Sequence, residues 1–173
     1  MKRLFLLLLG AIVLAGGADD AFAGAQKKKP KAIVRFHPQA ANEGGNFSIP
    51  VQNLHTGRPS SMGKIPLVTE EEIVSFSAVR VADGTYGVCF KLDYHGTNLL
   101  SQHTMSRRGT WVFGFLNGRH VIDLYVDRPV KDGEICFPSG ITEAELALIE
   151  QTFPRTGHEK GRSSGKKPAD SAQ

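Results

Sequence analysis

The dipeptide Asn117-Gly118 stands between "TWVFGFL" and "HVIDLYV", two runs rich in β-branched and aromatic residues. A type I′ turn requires positive φ at both central positions. Asn and Gly tolerate this best, so the pair is the strongest short hairpin signal a sequence carries. It predicts two antiparallel strands and also their register. With a two-residue loop Leu116 faces Arg119, and pairing outward sets Phe115 against His120, Phe113 against Ile122 and Trp111 against Leu124. Side chains alternate with period two, which puts the last six on one face and Val112, Gly114, Val121, Asp123 and Tyr125 on the other. His120 then sits beside an aromatic row at the turn end, a rim histidine with a polar partner.

The same stretch carries Asp123, Asp127 and Asp132 within ten positions. On one strand Asp123 and Asp127 would lie roughly 13 Å apart at about 3.3 Å per residue. That is too far for one cation with ligand bonds of about 2–2.5 Å, and wider than the roughly 6.5–9.5 Å of an inverting glycosidase pair. Asp132 precedes Gly133 and reads as a turn corner. The aspartates therefore predict a hairpin's polar positions and not an acidic site.

The remaining elements follow from local signals. "AIVRF" reads as a short strand, "NFSIPV" as a second one that Pro50 confines to an edge, and "HTGRPSSMGKIP" as a connection. Thr69 and Glu72 have capping-box spacing and could open a single helical turn before the alternating "IVSFSAVRV". "TYGVCFKLDY" alternates, with Tyr86, Val88, Phe90 and Leu92 on one face. "TNLLSQHTMSRR" spaces Leu99, Leu100, His103 and Met105 for a helix of about three turns, stopped at Gly109. "GEICFP" reads as a short strand. "ITEAELALIEQTF" is a helix with Thr142 as cap, Glu145 in the capping-box position and a stripe of Leu146, Ile149 and Phe153. Several strands and two helices without regular β-α-β alternation predict an α+β, two-layer domain. Its sheet should be largely antiparallel, of about five to seven strands, with both helices on one face.

At 173 residues the chain fits one domain with appendages. Residues 1–23 have a basic start (Lys2, Arg3), an apolar run from Leu4 to about Ala15 and an Ala21-Phe22-Ala23 ending, the pattern of a signal peptide cleaved after Ala23. The run is shorter than the roughly 20 residues of a membrane span. An uncleaved leader acting as an anchor is the alternative; otherwise the expected place is the periplasm or the extracellular space. The overall charge of +4 belongs to the flanks. Residues 24–31 and 154–173 hold nine basic side chains against Glu159 and Asp170, whereas residues 32–153 carry ten basic and thirteen acidic ones. The expected organisation is a basic flexible segment at 24–31, a single domain at 32–153 and a disordered basic tail at 154–173. The charge location argues against specific nucleic-acid recognition, leaving loose attraction to an anionic polymer as the flanks' alternative role.

No Gly-Lys-Ser/Thr loop or H-x-x-x-H spacing is present, and no residue pattern calls for a cofactor or a metal. Cys89 and Cys136 fall at outward positions of their strands. If those strands are neighbours a cross-strand disulfide is feasible; if not, both stay thiols. Asp93, His95 and Arg107, around the first helix, are the ligand candidates if a sheet–helix pocket binds a small molecule or performs catalysis. No catalytic set is assembled from them.

The order "LNGRHVIDLYVDRPVKDGEICFPSGITEAELALIEQTF" resembles the head portion of the first periplasmic region of the preprotein translocase subunit SecD. The residues that carry the likeness are Asn117-Gly118, Val121, Pro129, Gly133, Ile135 and Gly140 through Glu143, with "TEEEIVSFSAVR" and "GVCFKLDYHGTNLLSQHT" similar upstream. The resemblance spans about residues 69–153 and rests on turns and caps, so it implies architecture. The multi-span membrane portion of that family has no counterpart in these segments. A free-standing exported relative, non-catalytic and binding another envelope protein, is the expected function.

Overall fold

The computed structural model describes residues 31–41 and 44–157. The expected leader with its cleavage point at Ala23, the basic segment up to residue 30 and the tail from residue 158 lie outside the described residues. Eight strands and two helices follow in the order β1 (Val34–Pro38), β2 (Ser48–Gln52), β3 (Pro59–Gly63), β4 (Ile73–Arg80), β5 (Tyr86–Leu92), α1 (Tyr94–Ser106), β6 (Trp111–Leu116), β7 (Arg119–Tyr125), β8 (Glu134–Ile141) and α2 (Glu143–Thr152). The domain is α+β, but its strands form three antiparallel sheets, β1-β6-β7, β2-β3 and β4-β5-β8, and not one sheet of five to seven. The strands that could have joined the two larger sheets, β7 and β8, each lie at a register shift against their partner. Such bulges bend and twist a strand out of line with a neighbour.

The aromatic core lies where these sheets meet. Phe36 of β1 stacks on Phe137 of β8 with ring centroids 5.0 Å apart, and Phe90 of β5 meets Phe137 edge-on at 5.8 Å. Phe153, just after α2, closes on Phe90 at 6.0 Å, and Leu146 and Ile149 of the helix are buried with it. The close approach of Phe36 and Phe137 depends on Gly114: a Cβ there would sit 2.7 Å from the Phe137 ring and 3.0 Å from that of Phe36. Both rings lean on bare backbone, so any side chain at 114 would overpack the core.

Several boundaries differ from expectation, each for a local reason. β3 lies inside the segment expected to be a connection; "PSSMG" has no β-branched or aromatic residue, and its extended form comes from pairing with β2. α1 begins three residues earlier than its apolar spacing suggests, because the Asp93 side chain accepts the Gly96 N–H at 2.7 Å and caps the helix. Met105, placed in the buried stripe by spacing, is exposed. β8 continues past Pro138 to Ile141, with residues 138–140 bulging opposite Gly87. α2 has the reciprocal Thr142–Glu145 capping box. The Thr69 N–H and hydroxyl both donate to the Glu72 carboxylate, within a single turn.

The folded chain also continues beyond Phe153. The Phe76 N–H donates to the Pro154 carbonyl at 3.0 Å, and the Thr156 N–H donates to the Phe76 carbonyl at 2.8 Å. Arg155 lies over the Phe76 ring, 5.7 Å from its centroid. Residues 154–157 therefore belong to the domain and not to the basic tail expected from 154. The backbone bonds to β4 hold them, which composition does not reveal.

Candidate functional site

The Asn117-Gly118 turn has the expected conformation, with φ of 51° and 81°. Leu116 pairs with Arg119 and Phe115 with His120 as the loop rule requires. Val121 then stands as an extra residue: Gly114 pairs with Ile122, Phe113 with Asp123, Val112 with Leu124 and Trp111 with Tyr125. The bulge reverses every face assignment beyond it. Ile122 and Leu124, expected on the aromatic row, turn to the main core with Val112 and Gly114. Asp123, expected on the face away from that row, joins Trp111, Phe113 and Phe115 and is only 2% exposed.

Burial of a carboxylate requires partners. Asp123 accepts the Leu54 N–H from the β2–β3 connection through one oxygen and faces His120 Nε2 at 2.5 Å through the other. The His120 ring lies flat against Phe115, centroids 4.7 Å apart, with Phe113 edge-on at 5.9 Å. His120 is thus a rim histidine whose polar partner is Asp123. Together they clamp the β2–β3 hairpin onto β7. Asp123→Ala would take the partner from the Leu54 N–H and from a half-buried imidazole nitrogen and should cost about 1–3 kcal/mol in urea unfolding. Asp127 and Asp132 are exposed, in the loop after β7, apart from the buried Asp123.

On the same side, His37 is buried at 8% exposure, donates from Nδ1 to the Gly63 carbonyl at 2.8 Å and meets Phe115 edge-on. Burial holds its pKa below the ordinary 6.5; the Gly63 bond partly opposes this and Arg35 adds to it. His103, in the last turn of α1, is lowered in the same direction by burial and by Arg107. The unfolded chain therefore binds more protons than the folded one just below pH 6.5. Stability from these groups is complete above that pH and is lost as pH falls beneath it. Melting temperature should drop between pH 7.5 and 5, and less steeply in His37→Asn, whose amide can keep the Gly63 bond.

The ligand candidates around α1 do not converge. Asp93 caps the helix, His95 is exposed in its first turn, and Arg107 lies at the C-terminal end. Fourteen residues at about 1.5 Å rise set Asp93 and Arg107 roughly 21 Å apart. Asp93→Ala should cost about 1 kcal/mol of stability, as removal of a cap does, read as a lowered denaturation midpoint. Among the described residues no group of three or more His, Cys, Asp or Glu has metal-site spacing.

The widest concavity is a seam that no single motif announces. β7 and β8 are outer strands of their sheets and are not paired with each other. They are held together at one end, where Arg119 donates to the Gly140 carbonyl at 2.9 Å and pairs with Glu145 of α2 at 2.7 Å. Towards the other end they enclose about 840 Å³, with Leu124 and Val126 on one wall, Ile135 and Cys136 on the other, and Leu100 and Thr104 of α1 among the lining residues. The Thr104 hydroxyl accepts the Val130 N–H at 2.9 Å and fixes the 127–132 loop at the mouth. Cys136 is bonded to Cys89 directly opposite it on β5, so a disulfide stiffens the β8 wall. Apolar walls beside two unpaired strand edges can accept an extended polypeptide, whose backbone pairs with an edge while alternate side chains enter the groove.

The class these features define is an α+β domain of small antiparallel sheets with an apolar seam between two of them. Solved structures similar to it include two of SecDF. One is a structure of this membrane component, described as enhancing protein export; it aligns with a TM-score of 0.51 at 14% identity over 72% of this chain and 64% of that chain. The other is a crystal structure of SecDF in a super-membrane-facing form, with a TM-score of 0.52 at 16% identity over 71% of this chain and 19% of that one. The chain spans under two thirds of the first and about a fifth of the second. At such identities the likeness is one of fold, and at that level the SecD-like architecture expected from the turns and caps is present. No protein-family profile matches the chain, and no curated protein matches it by sequence.

Proposed function

We propose that this chain is an exported, non-catalytic protein-binding module of the cell envelope, built on the fold of a SecD-like periplasmic domain. The observation that carries the reading is the seam: about 840 Å³ between the edges of β7 and β8, which have no strand partner there among the described residues, with Leu124, Val126 and Ile135 on its walls and Asp127, Arg128, Lys131, Asp132 and Glu134 also lining it. A partner segment in extended form would add to an edge strand and bury apolar side chains against Leu124, Val126 and Ile135. Export is supported by the leader pattern of residues 1–23 and by the fold likeness to SecDF. Among the described residues no helix is long and apolar enough to cross a membrane.

Photo-cross-linking in the intact envelope tests this. A photoreactive residue at Arg128 or Glu134, on the seam, should yield covalent adducts with another protein, identified by mass spectrometry. The same residue at Tyr94, exposed at the start of α1, should yield few. Recovery of only the unattached monomer from the seam positions would count decisively against the proposal.

A further inference from the structure

A second concavity, separate from the seam, lies where the last turn of α1 meets the ends of β1 and β3 and the start of β2, and encloses about 600 Å³. That volume falls in the range of small-molecule sites. Its charged lining is of one sign: Lys64 and Arg107 are present, and no carboxylate lines it among the described residues. Neither cation makes an ion pair among the described residues. His103 also lines the pocket, and its Nε2 is buried without a hydrogen-bond partner among the described residues. A buried nitrogen left unmatched is destabilising, so it marks a place where a partner would be stabilising.

The rest of the lining is mixed, with Gln39, Asn46 and Ser48 polar and two large apolar side chains open to water. Phe47 is 77% exposed and Ile65 73% exposed, both bordering the pocket, with Pro38 also in its wall. Two large apolar side chains held in water beside two cations without an ion pair among the described residues match an amphiphilic anion. Its charged head would meet the guanidinium, which holds a carboxylate through two parallel hydrogen bonds. Its hydrocarbon body would cover Phe47 and Ile65.

We propose that this pocket binds a small organic carboxylate with an apolar body, its head held by Arg107, Lys64 and His103 Nε2 and its body laid on Phe47 and Ile65. The proposal is independent of the seam and stands or falls separately from the partner-binding reading.

The test is calorimetric titration of the purified protein with 4-phenylbutyrate, alongside sodium sulfate at matched ionic strength. Saturable binding of 4-phenylbutyrate is expected, weakened at least tenfold by Arg107→Ala and by Lys64→Ala and unchanged by Arg58→Ala on the β2–β3 loop. Phe47→Ala should weaken 4-phenylbutyrate alone. All four positions are exposed or half-buried, and an unchanged melting temperature verifies that each variant folds. No saturable binding, binding that survives loss of both cations, or equal affinity for sulfate would each overturn the proposal.

Discussion

Phe137→Ala is expected to lower the free energy of unfolding by about 3–5 kcal/mol, the range for removing a fully buried phenyl ring. Phe137 has no exposed surface, stacks on Phe36 across the gap between two sheets and receives the edge of Phe90 within its own. Its loss opens a cavity that backbone on the Gly114 side cannot fill, because no side chain there can move in. The urea midpoint should fall by roughly 1–2 M with little change in slope. Phe137→Leu, which keeps most of the volume, should recover more than half of the loss. If Phe137→Ala changed the midpoint by less than the Thr142→Ala cap variant, the two larger sheets would not share one cooperative core.

Loss of the Cys89–Cys136 bond should be nearly as costly. The two residues are 47 positions apart, and closing a loop of that length reduces unfolded-state freedom by an amount corresponding to about 3–4 kcal/mol. For a domain of this size that is roughly 10–15 °C in melting temperature. The effect should be seen equally in Cys89→Ala/Cys136→Ala and in wild-type protein melted with reductant. It should not add to itself when the double variant is reduced. Because Cys136 also lines the seam, the substitution has a second readout: adducts from Glu134 should decrease if the bond stiffens that wall. An unchanged melting point on reduction would mean that the enclosed chain is already equally constrained without the bond.

Local chemistry was legible where one residue type decides one conformation. The Asn117-Gly118 turn, the Thr142–Glu145 box and the stripe of α2 are all of this kind. Asp93 carried a signal too, since Asp before a helical run is a good cap. The adjoining His95 and Gly96 instead suggested a loop and a ligand. What escaped depends on pairing partners. The Val121 bulge has no signature of its own, yet it moved Asp123 from a solvent face to a buried clamp. β3 is extended because β2 lies opposite it, and the seam exists because β7 and β8 stay apart. Neither fact resides in any one segment. Arg107 was singled out by its position after a helix, whereas its neighbours in the pocket, Lys64 and Phe47, come from distant segments that only the fold brings together.

The short return of Pro154–Thr156 onto Phe76 has a consequence for self-association. β4 is an outer strand, and a row of free backbone groups along such a strand is a template for another chain. Here the polypeptide's own continuation occupies the groups of Phe76, midway along β4, and sets the Arg155 guanidinium over that ring. The β4 edge thus carries a built-in guard against stacking on another chain, and a version cut after Phe153 would lose it.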